Sequence, residues 1–414
     1  MYTLYNFVLI VAGFFLRIIA LFNKKLRLFV DGRKEVFTKL KNEVSSDDKV
    51  IWMHCASLGE FEQGRPLIEK LKINYPYYKI VLTFFSPSGY EVRKNYEGAD
   101  VICYLPLDTK KNAREFIRLT NPALAIFVKY EFWPNILREL KNQQIETILV
   151  SGIFRENQAF FKGYGSWMRK SLKGFSYFFV QDDNSKKMLN SVGFTNVEKS
   201  GDTRFDRVFE ITQQNNELNF ISEFKGDNLL LVCGSTWKED EDLLVEYINN
   251  SRTKNQKYIF APHNIKQKEI DELLTRITKK AVLYSEKENH NLADAEVLII
   301  DAIGFLTKVY GYADIAYVGG AFSTGLHNVL EPATFGLPII IGPDYQKFNE
   351  VIDLLNLGGI TSIKSQKELK SELNKVFLHT EIRTSKGKIS EDFITNNIGA
   401  TKLILNYIDK TLRS

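Results

Sequence analysis

Cysteine is scarce in this chain, and the three that occur, Cys55, Cys103 and Cys233, are scattered and form no CxxC pair. That argues against a disulfide scaffold or a structural zinc site and fits a reducing compartment. Histidine is equally thin, five residues with no HExxH pattern, so a catalytic metal held by the protein has little support. Neither a G-x-G-x-x-G nor a Walker sequence occurs, which argues against an ordinary dinucleotide or ATP site. Excess charge is also nearly absent. The whole chain carries +5, yet residues 17–41 alone carry +6, from eight Lys/Arg against Asp31 and Glu35, so the rest is essentially neutral. The basic excess is one local patch, not the footprint of a nucleic-acid-binding face.

What is present suits two globular domains with trimmings: 414 residues, 44% hydrophobic and 25% charged. The N-terminus, Leu4 to Phe22, reads LYNFVLIVAGFFLRIIALF, broken only by Asn6 and Arg17. A full membrane span needs roughly 20 apolar residues, so this segment can span or lie shallowly. It is a poor secretory signal, with no basic stretch before it and no A-x-A-like site after it. An apolar helix followed by Lys/Arg reads as a membrane anchor with its basic end at the cytoplasmic face; a buried domain helix is the alternative.

From residue 50 onward, short apolar runs alternate with stretches long enough for a helix. The expected strands are Val50–Met53, Lys79–Phe85, Val101–Tyr104, Leu124–Val128, Thr147–Ser151 and Tyr177–Gln181. The pattern lapses over the polar stretch Glu210–Gly226 and restarts with Leu229–Cys233, Lys257–Ala261, Val282–Tyr284, Val297–Ile300, Ile315–Gly319 and Pro338–Ile341. This is the signature of βαβ units, and it predicts two doubly wound α/β sheets. There is no short repeat or low-complexity tract. In such sheets ligands sit beyond the carboxyl ends of the strands, and chemistry-bearing residues cluster there. In the first half these are Ser57, Gly59 and Glu60, then Ser86, then Glu131, and Arg155. In the second they are Ser235 and Thr236, His263, Ile303-Gly304-Phe305, Gly320, and Asn328 with Glu331. Ser235 or Thr236 with Glu239 reads as a capping box, and the free N–H groups of such a helix start also bind phosphate. Glycines 319, 320 and 325 let backbone approach a ligand closely. Glu60 has a bland reading too, an acid favouring the positive end of its helix.

The motifs His54 with Ser57, Gly59 and Glu60; Glu131-Phe132-Trp133-Pro134-Asn135; Gly201–Asp206; Gly234-Ser235-Thr236; Asp301 with Gly304; Val318-Gly319-Gly320; and His327–Pro332 occur in one order. Together they resemble the Kdo (3-deoxy-D-manno-octulosonic acid) transferase family of lipopolysaccharide assembly, from the N-terminal anchor to about residue 350. The resemblance implies two Rossmann-like domains of the glycosyltransferase B architecture, with CMP-Kdo as donor, a tetra-acylated lipid A precursor as acceptor, no metal or other cofactor, and work at the cytoplasmic face of the inner membrane. By position it implies Glu60 as general base, Glu131 as a second acid orienting the acceptor or Glu60, and Ser57, Gly59, Ser86 and Arg155 on the acceptor side. Donor contacts would fall to Ser235 and Thr236 for phosphate, Ile303, Gly304 and Phe305 for cytosine, Asn328 and Glu331 for ribose and phosphate, with Gly320 and His263 nearby.

There is one departure. Where the family often carries Pro-Arg-His, this chain reads Ala261-Pro262-His263-Asn264, so His263 is expected to stand in with a weaker, pH-dependent charge. The loop Ala321–Leu326 is also less glycine-rich than the family's. The basic stretch 17–41, and Arg155, Lys162 and Arg169 near the aromatic run 160–167, are candidates to meet anionic headgroups and lipid phosphates; a solvated basic surface is the alternative. The expected division is an anchor helix at 1–30, an acceptor-binding domain at 31–212, a linker at 213–226, a CMP-Kdo-binding domain at 227–395 and a C-terminal helix at 396–414. Nothing in the pattern specifies an oligomeric state. Two rivals remain at this level: another nucleotide-sugar transferase or an epimerase of the same architecture, and a membrane-tethered nucleotide-sugar-binding protein without catalysis.

Overall fold

In a computed structural model describing all residues except Lys254, Thr324 and Ser414, the apolar runs become central strands buried on both faces, as parallel sheets require. The chain divides into two compact units: Met1–Asp206 with Ile398–Ser414, and Arg207–Asn397. The first unit holds β1 (Lys49–Cys55), β2 (Tyr78–Phe84), β3 (Val101–Tyr104), β4 (Pro122–Val128), β5 (Glu146–Gly152), β6 (Tyr177–Val180) and β7 (Val197–Lys199). Their order is β3-β2-β1-β4-β5-β6-β7, all parallel. The second unit holds β8 (Leu229–Thr236), β9 (Gln256–Pro262), β10 (Ala281–Leu283), β11 (Val297–Ile299), β12 (Ile315–Val318), β13 (Ile339–Ile341) and β14 (Ile360–Ser362). These run in the order β10-β11-β9-β8-β12-β13-β14, again parallel. The expected pair of doubly wound sheets is therefore present, with β7 and β14 added at the edges.

Each order reverses once. In the first unit the chain winds outward from β1 through β2 and β3, then restarts at β4 on the other side of β1. In the second, β12 takes up the free side of β8. A crevice opens at such a switch point because the loops leaving the two adjacent strands diverge to opposite faces. The two switch points are therefore β1/β4 and β8/β12.

The polar stretch expected as a linker at 213–226 groups with the second unit and carries the helix Asn219–Lys225, whose Ile221 and Phe224 are fully buried. The C-terminal helix Ala400–Arg413 belongs to the first unit, where Ile404 and Ile408 join its core. Asp206 holds its start, accepting the Gly399 and Thr401 amides at 2.5 and 2.6 Å.

Candidate active site

At the β1/β4 switch point, β1 ends at Cys55 and a tight turn leads into the helix Leu58–Asn74, with Ser57 as N-cap. Glu60 completes a capping box: one carboxylate oxygen accepts the Ser57 amide at 3.0 Å and a short bond from the Ser57 hydroxyl. The helix-start reading of Glu60 is thus present in the structure. The cap fixes the carboxylate's rotamer, and the side chain remains half-exposed at the strand-end rim. The turn after β2 is stitched to the same place, since Phe85 and Ser86 donate their amides to the Ala56 carbonyl at 3.1 and 2.7 Å. Ser86 caps the helix Pro87–Arg93, and a Cβ on Gly89 would come within 3.1 Å of the Ser57 backbone.

Glu131 leaves β4 and turns back toward β1. Its Oε2 accepts the Trp133 indole N–H at 2.9 Å and pairs with His54 Nε2 at 3.2 Å. His54 is fully buried, and its Nδ1 faces the Thr83 hydroxyl at 2.9 Å. Thr83 also accepts the Trp52 indole N–H at 2.9 Å. A buried chain of polar contacts therefore runs from β2 through β1 to the acid after β4 and sets its position. One further observation puts Glu60 and Glu131 in one neighbourhood, and a second brings Tyr130 and Arg155 to Glu60. Burial pushes the Cys55 thiol well up, and Glu60 and Glu131 are the next contributors. Burial also raises the Tyr130 hydroxyl, with Arg155 opposing and Glu60 reinforcing the shift. Tyr130 and His54 are thus members of this cluster. Both stand at strand ends in the sequence, His54 within its motif and Tyr130 beside Glu131.

The backbone marks the same rims. Lys129, Ser151 and Ser235 all have positive φ, at 65°, 52° and 52°, and each stands at the carboxyl end of a strand. Non-glycine residues are held in that region only where surrounding structure over-determines them, which happens most at functional sites.

At the β8/β12 switch point β8 runs three residues further than expected, to Thr236. The capping box expected from Ser235 or Thr236 with Glu239 is replaced by another. The N-cap of the helix Lys238–Asn250 is Trp237, and the acid that reaches back to its amide, at 3.0 Å, is Asp240. Asp240 is fully buried and also accepts Tyr317 Oη at 2.7 Å and the Gly320 amide at 2.9 Å. Sequence reasoning missed it because its partners arrive from a distant strand. Burial raises its carboxyl, and these bonds oppose the rise. The glycines here are sterically required: a Cβ on Gly319 would lie 2.5 Å from the Ser235 carbonyl, and one on Gly320 2.3 Å from that of Gly325. Backbone amides and the Ser235 turn are therefore packed together at the one place where this sheet opens.

Around that turn, Trp237 stacks on His263 at 4.5 Å, and the His327 ring packs tilted against His263 at 4.5 Å. Burial lowers His263, and burial with His263 as neighbour lowers His327 to about 4. Both rings are neutral at pH 7, so His263 offers a stacking face and a hydrogen bond rather than the charge of an arginine. Asn328 bonds Glu331 at 3.2 Å, and Thr307 donates to the other Glu331 oxygen at 2.7 Å. Gly304 has φ +94°, Ile303 is 89% exposed, and Phe305 packs on Tyr284 at 4.7 Å. Thr324, within the loop Ala321–Leu326, lies outside the described residues. A cavity of about 560 Å³ adjoins Thr236, Trp237, Pro262 and Asn264. Among the described residues no group of three His, Cys, Asp or Glu side chains is placed to hold a metal ion. Arg155 and Lys162 are exposed, and the Arg169 guanidinium bonds the Lys162 carbonyl at 3.4 Å.

Comparison with known proteins gives the family likeness and the fold. Residues 31–207 match the family model of 3-deoxy-D-manno-octulosonic-acid transferase (kdotransferase). A 3-deoxy-D-manno-octulosonic acid transferase of Chlamydophila psittaci is 28% identical over 331 residues, covering 77% of this chain and 75% of its own length. That of Aquifex aeolicus is 28% identical over 344 residues, covering 81% and 88%. A bifunctional glycosyltransferase/methyltransferase of Fusobacterium nucleatum is 26% identical over 400 residues and covers 91% of this chain, which spans 61% of that relative's length. Among solved structures, the UDP-GlcNAc 2-epimerase of Neisseria meningitidis superposes with TM-score 0.59 at 14% identity, covering 87% of this chain and all (100%) of that one. Acinetobacter baumannii MurG gives TM-score 0.56 at 13% identity, covering 87% and 99%. These two likenesses speak for the fold alone, that of the glycosyltransferase B class. With the motifs in place at both switch points and the sequence matches running along most of its length, the chain is related to the 3-deoxy-D-manno-octulosonic acid transferases.

Proposed function

We propose that this chain is an inverting glycosyltransferase that moves Kdo from CMP-Kdo to a tetra-acylated lipid A precursor at the cytoplasmic face of the inner membrane. The observation that carries the reading is the position of Glu60: a half-exposed carboxylate, its rotamer fixed by Ser57, at the switch point that also holds Glu131. Glu60 takes the proton of the acceptor hydroxyl as that oxygen bonds to the sugar's anomeric carbon. The bond from that carbon to the CMP phosphate breaks, and the electron pair leaves with CMP. Glu131 orients Glu60 or the acceptor, with Ser57, Gly59, Ser86 and Arg155 lining the acceptor side.

The second unit takes the donor in this reading. The Ser235–Thr236 turn and the N–H groups of Lys238 and Glu239 at the start of the helix Lys238–Asn250 meet the departing phosphate, the Trp237 amide being held by Asp240, and no metal or other cofactor is assigned to this step. Ile303, Gly304 and Phe305 hold cytosine; Asn328 and Glu331 reach ribose and phosphate; Gly320 lets the backbone close in, and His263 adds its neutral ring. The N-terminal helix Tyr2–Ile19, apolar and long enough by length and composition to cross a membrane, brings the enzyme to its lipid acceptor.

The test is a transfer assay with tetra-acylated lipid A precursor and CMP-Kdo generated in situ, read by mass spectrometry. One or more Kdo mass increments are expected. No increment with donor supply verified would move the chain to another nucleotide-sugar enzyme, and calorimetric titration with CMP against UDP would say which.

A further inference from the structure

The helix Tyr2–Ile19 presents one stripe to the first unit along its whole length. Tyr2, Tyr5, Asn6, Leu9, Gly13 and Leu16 are half-buried and Ala20, just past its end, is buried, a spacing of three and four residues that marks a single helix face. The contacts are specific. The Tyr2 hydroxyl bonds Asn135, and the Tyr5 hydroxyl donates to Asp108 at 2.8 Å. Asn135 donates to Asn6 at 3.1 Å, and a Cβ on Gly13 would meet Leu107 at 3.3 Å.

The far end is fastened to the same unit. Arg27 donates to the Leu21 carbonyl at 2.8 Å, and Arg33 donates to the Leu105 and Phe85 carbonyls at 2.9 and 2.7 Å, just beyond β3 and β2. The 18 residues of this helix make roughly 27 Å at ~1.5 Å per residue, against a hydrocarbon core of ~30 Å. A helix crossing that core would carry Tyr2 and Ala20 to opposite sides, yet both ends are fastened to one domain.

The opposite face is apolar and open: Phe7, Ile10, Phe14 and Phe15 are all more than half exposed, at 63%, 63%, 60% and 55%. Exposed Arg17, Lys24, Lys25 and Arg27 follow it. Beside Tyr2 opens a cavity of about 540 Å³ with Leu137 and Trp167 in its wall and Arg138, Lys141 and Lys170 around it. Apolar surface bordered by cations complements an anionic lipid leaflet.

We infer that this helix does not cross the membrane: it stays docked on the first unit and lies in the plane of an anionic leaflet, so that both chain termini remain on one side. The inference rests on the proposed membrane acceptor only for the identity of the partner, and its test reads topology and binding without turnover, so each can fail alone.

The full chain with an epitope tag at each end would be expressed, and inverted inner-membrane vesicles treated with protease. Digestion of both tags without detergent is the expected result. An N-terminal tag protected until detergent is added would show a span and overturn the inference. In parallel, purified protein would be floated with vesicles of phosphatidylcholine alone or mixed with phosphatidylglycerol. Several-fold more protein should float with the mixed vesicles, and the double variant Lys24→Glu/Lys25→Glu, which leaves the Arg27 bond to the Leu21 carbonyl in place, should lose most of that gain with an unchanged circular dichroism spectrum. Equal flotation with both vesicle types, or a stable dimer that binds neither, would also overturn it.

Discussion

Glu60 caps its helix through one carboxylate oxygen, and the proposed base role would fall to the other. The oxygen that bonds Ser57 is committed to the helix start, a contribution of about 0.5–2 kcal/mol, while the side chain stays at the rim of the β1/β4 crevice. Glu131 is set by the Trp133 indole N–H, which it accepts, and by contact with the His54 ring. Trp133→Phe keeps the ring that packs on Phe85 but deletes the N–H. We expect turnover to fall roughly 10-fold, the cost of one hydrogen bond to a charged group, with CMP affinity unchanged by calorimetry. The histidine pair gives a pH dependence of definite sign. Above pH 6.5 His327 is neutral whether folded or unfolded and contributes nothing. As pH falls below about 6.5 the unfolded chain takes up a proton that the folded site, lowered to about 4, refuses, so stability is lost across that window. His327→Gln should flatten the loss seen by urea denaturation between pH 7 and pH 5.

At the scale of elements, Asp108 joins three segments. It accepts the Asn135 amide at 2.9 Å and the Ile136 amide at 2.8 Å, capping the helix Pro134–Asn142, and also the Tyr5 hydroxyl. Burial pushes its carboxyl up to about 6, so part of its favourable contribution is present in acid and lost as pH rises through that value. Asp108→Ala should cost ~2–4 kcal/mol in denaturant unfolding, from orphaned buried donors and a lost cap. The central strands were legible because β1, β4, β8 and β12 are continuous apolar runs ended by glycine, serine and acids. The edge strands Val197–Lys199 and Ile360–Ser362 were not, being three residues long and partly polar, with pairing that only tertiary context supplies. Glu60, Glu131 and the glycine turn could be read from the chain because each directly follows an apolar run. Asp240 and Asp108 could not, because partners that fix them, Tyr317 and Gly320 for one and Tyr5 and Asn135 for the other, lie far away in sequence.

At the scale of the molecule, the chain leaves the first unit at Asp206 and comes back at Ile398. The returning helix is built into the first core by Ile404 and Ile408 and fastened by Tyr407 donating to Glu146 at 2.6 Å. Deleting residues 398–414 should destabilise that unit by about 3–6 kcal/mol from the two isoleucines alone, visible as a lower denaturation midpoint. The N-terminal helix is bound to the same unit, so the unit with the proposed base also carries the apolar, cation-bordered face. The proposed Kdo transfer, with Glu60 as the proposed base, joins these scales. The most direct measurement is the single-turnover rate of transfer for Glu60→Gln beside wild type, with CMP affinity measured on both. Glutamine can still complete the capping box with Ser57, so the helix start is kept while the base is removed. A rate lower by ~10²–10⁴-fold with unchanged CMP binding and unfolding midpoint is expected if Glu60 is the base; transfer near the wild-type rate would contradict that role and leave Glu60 as a helix cap alone.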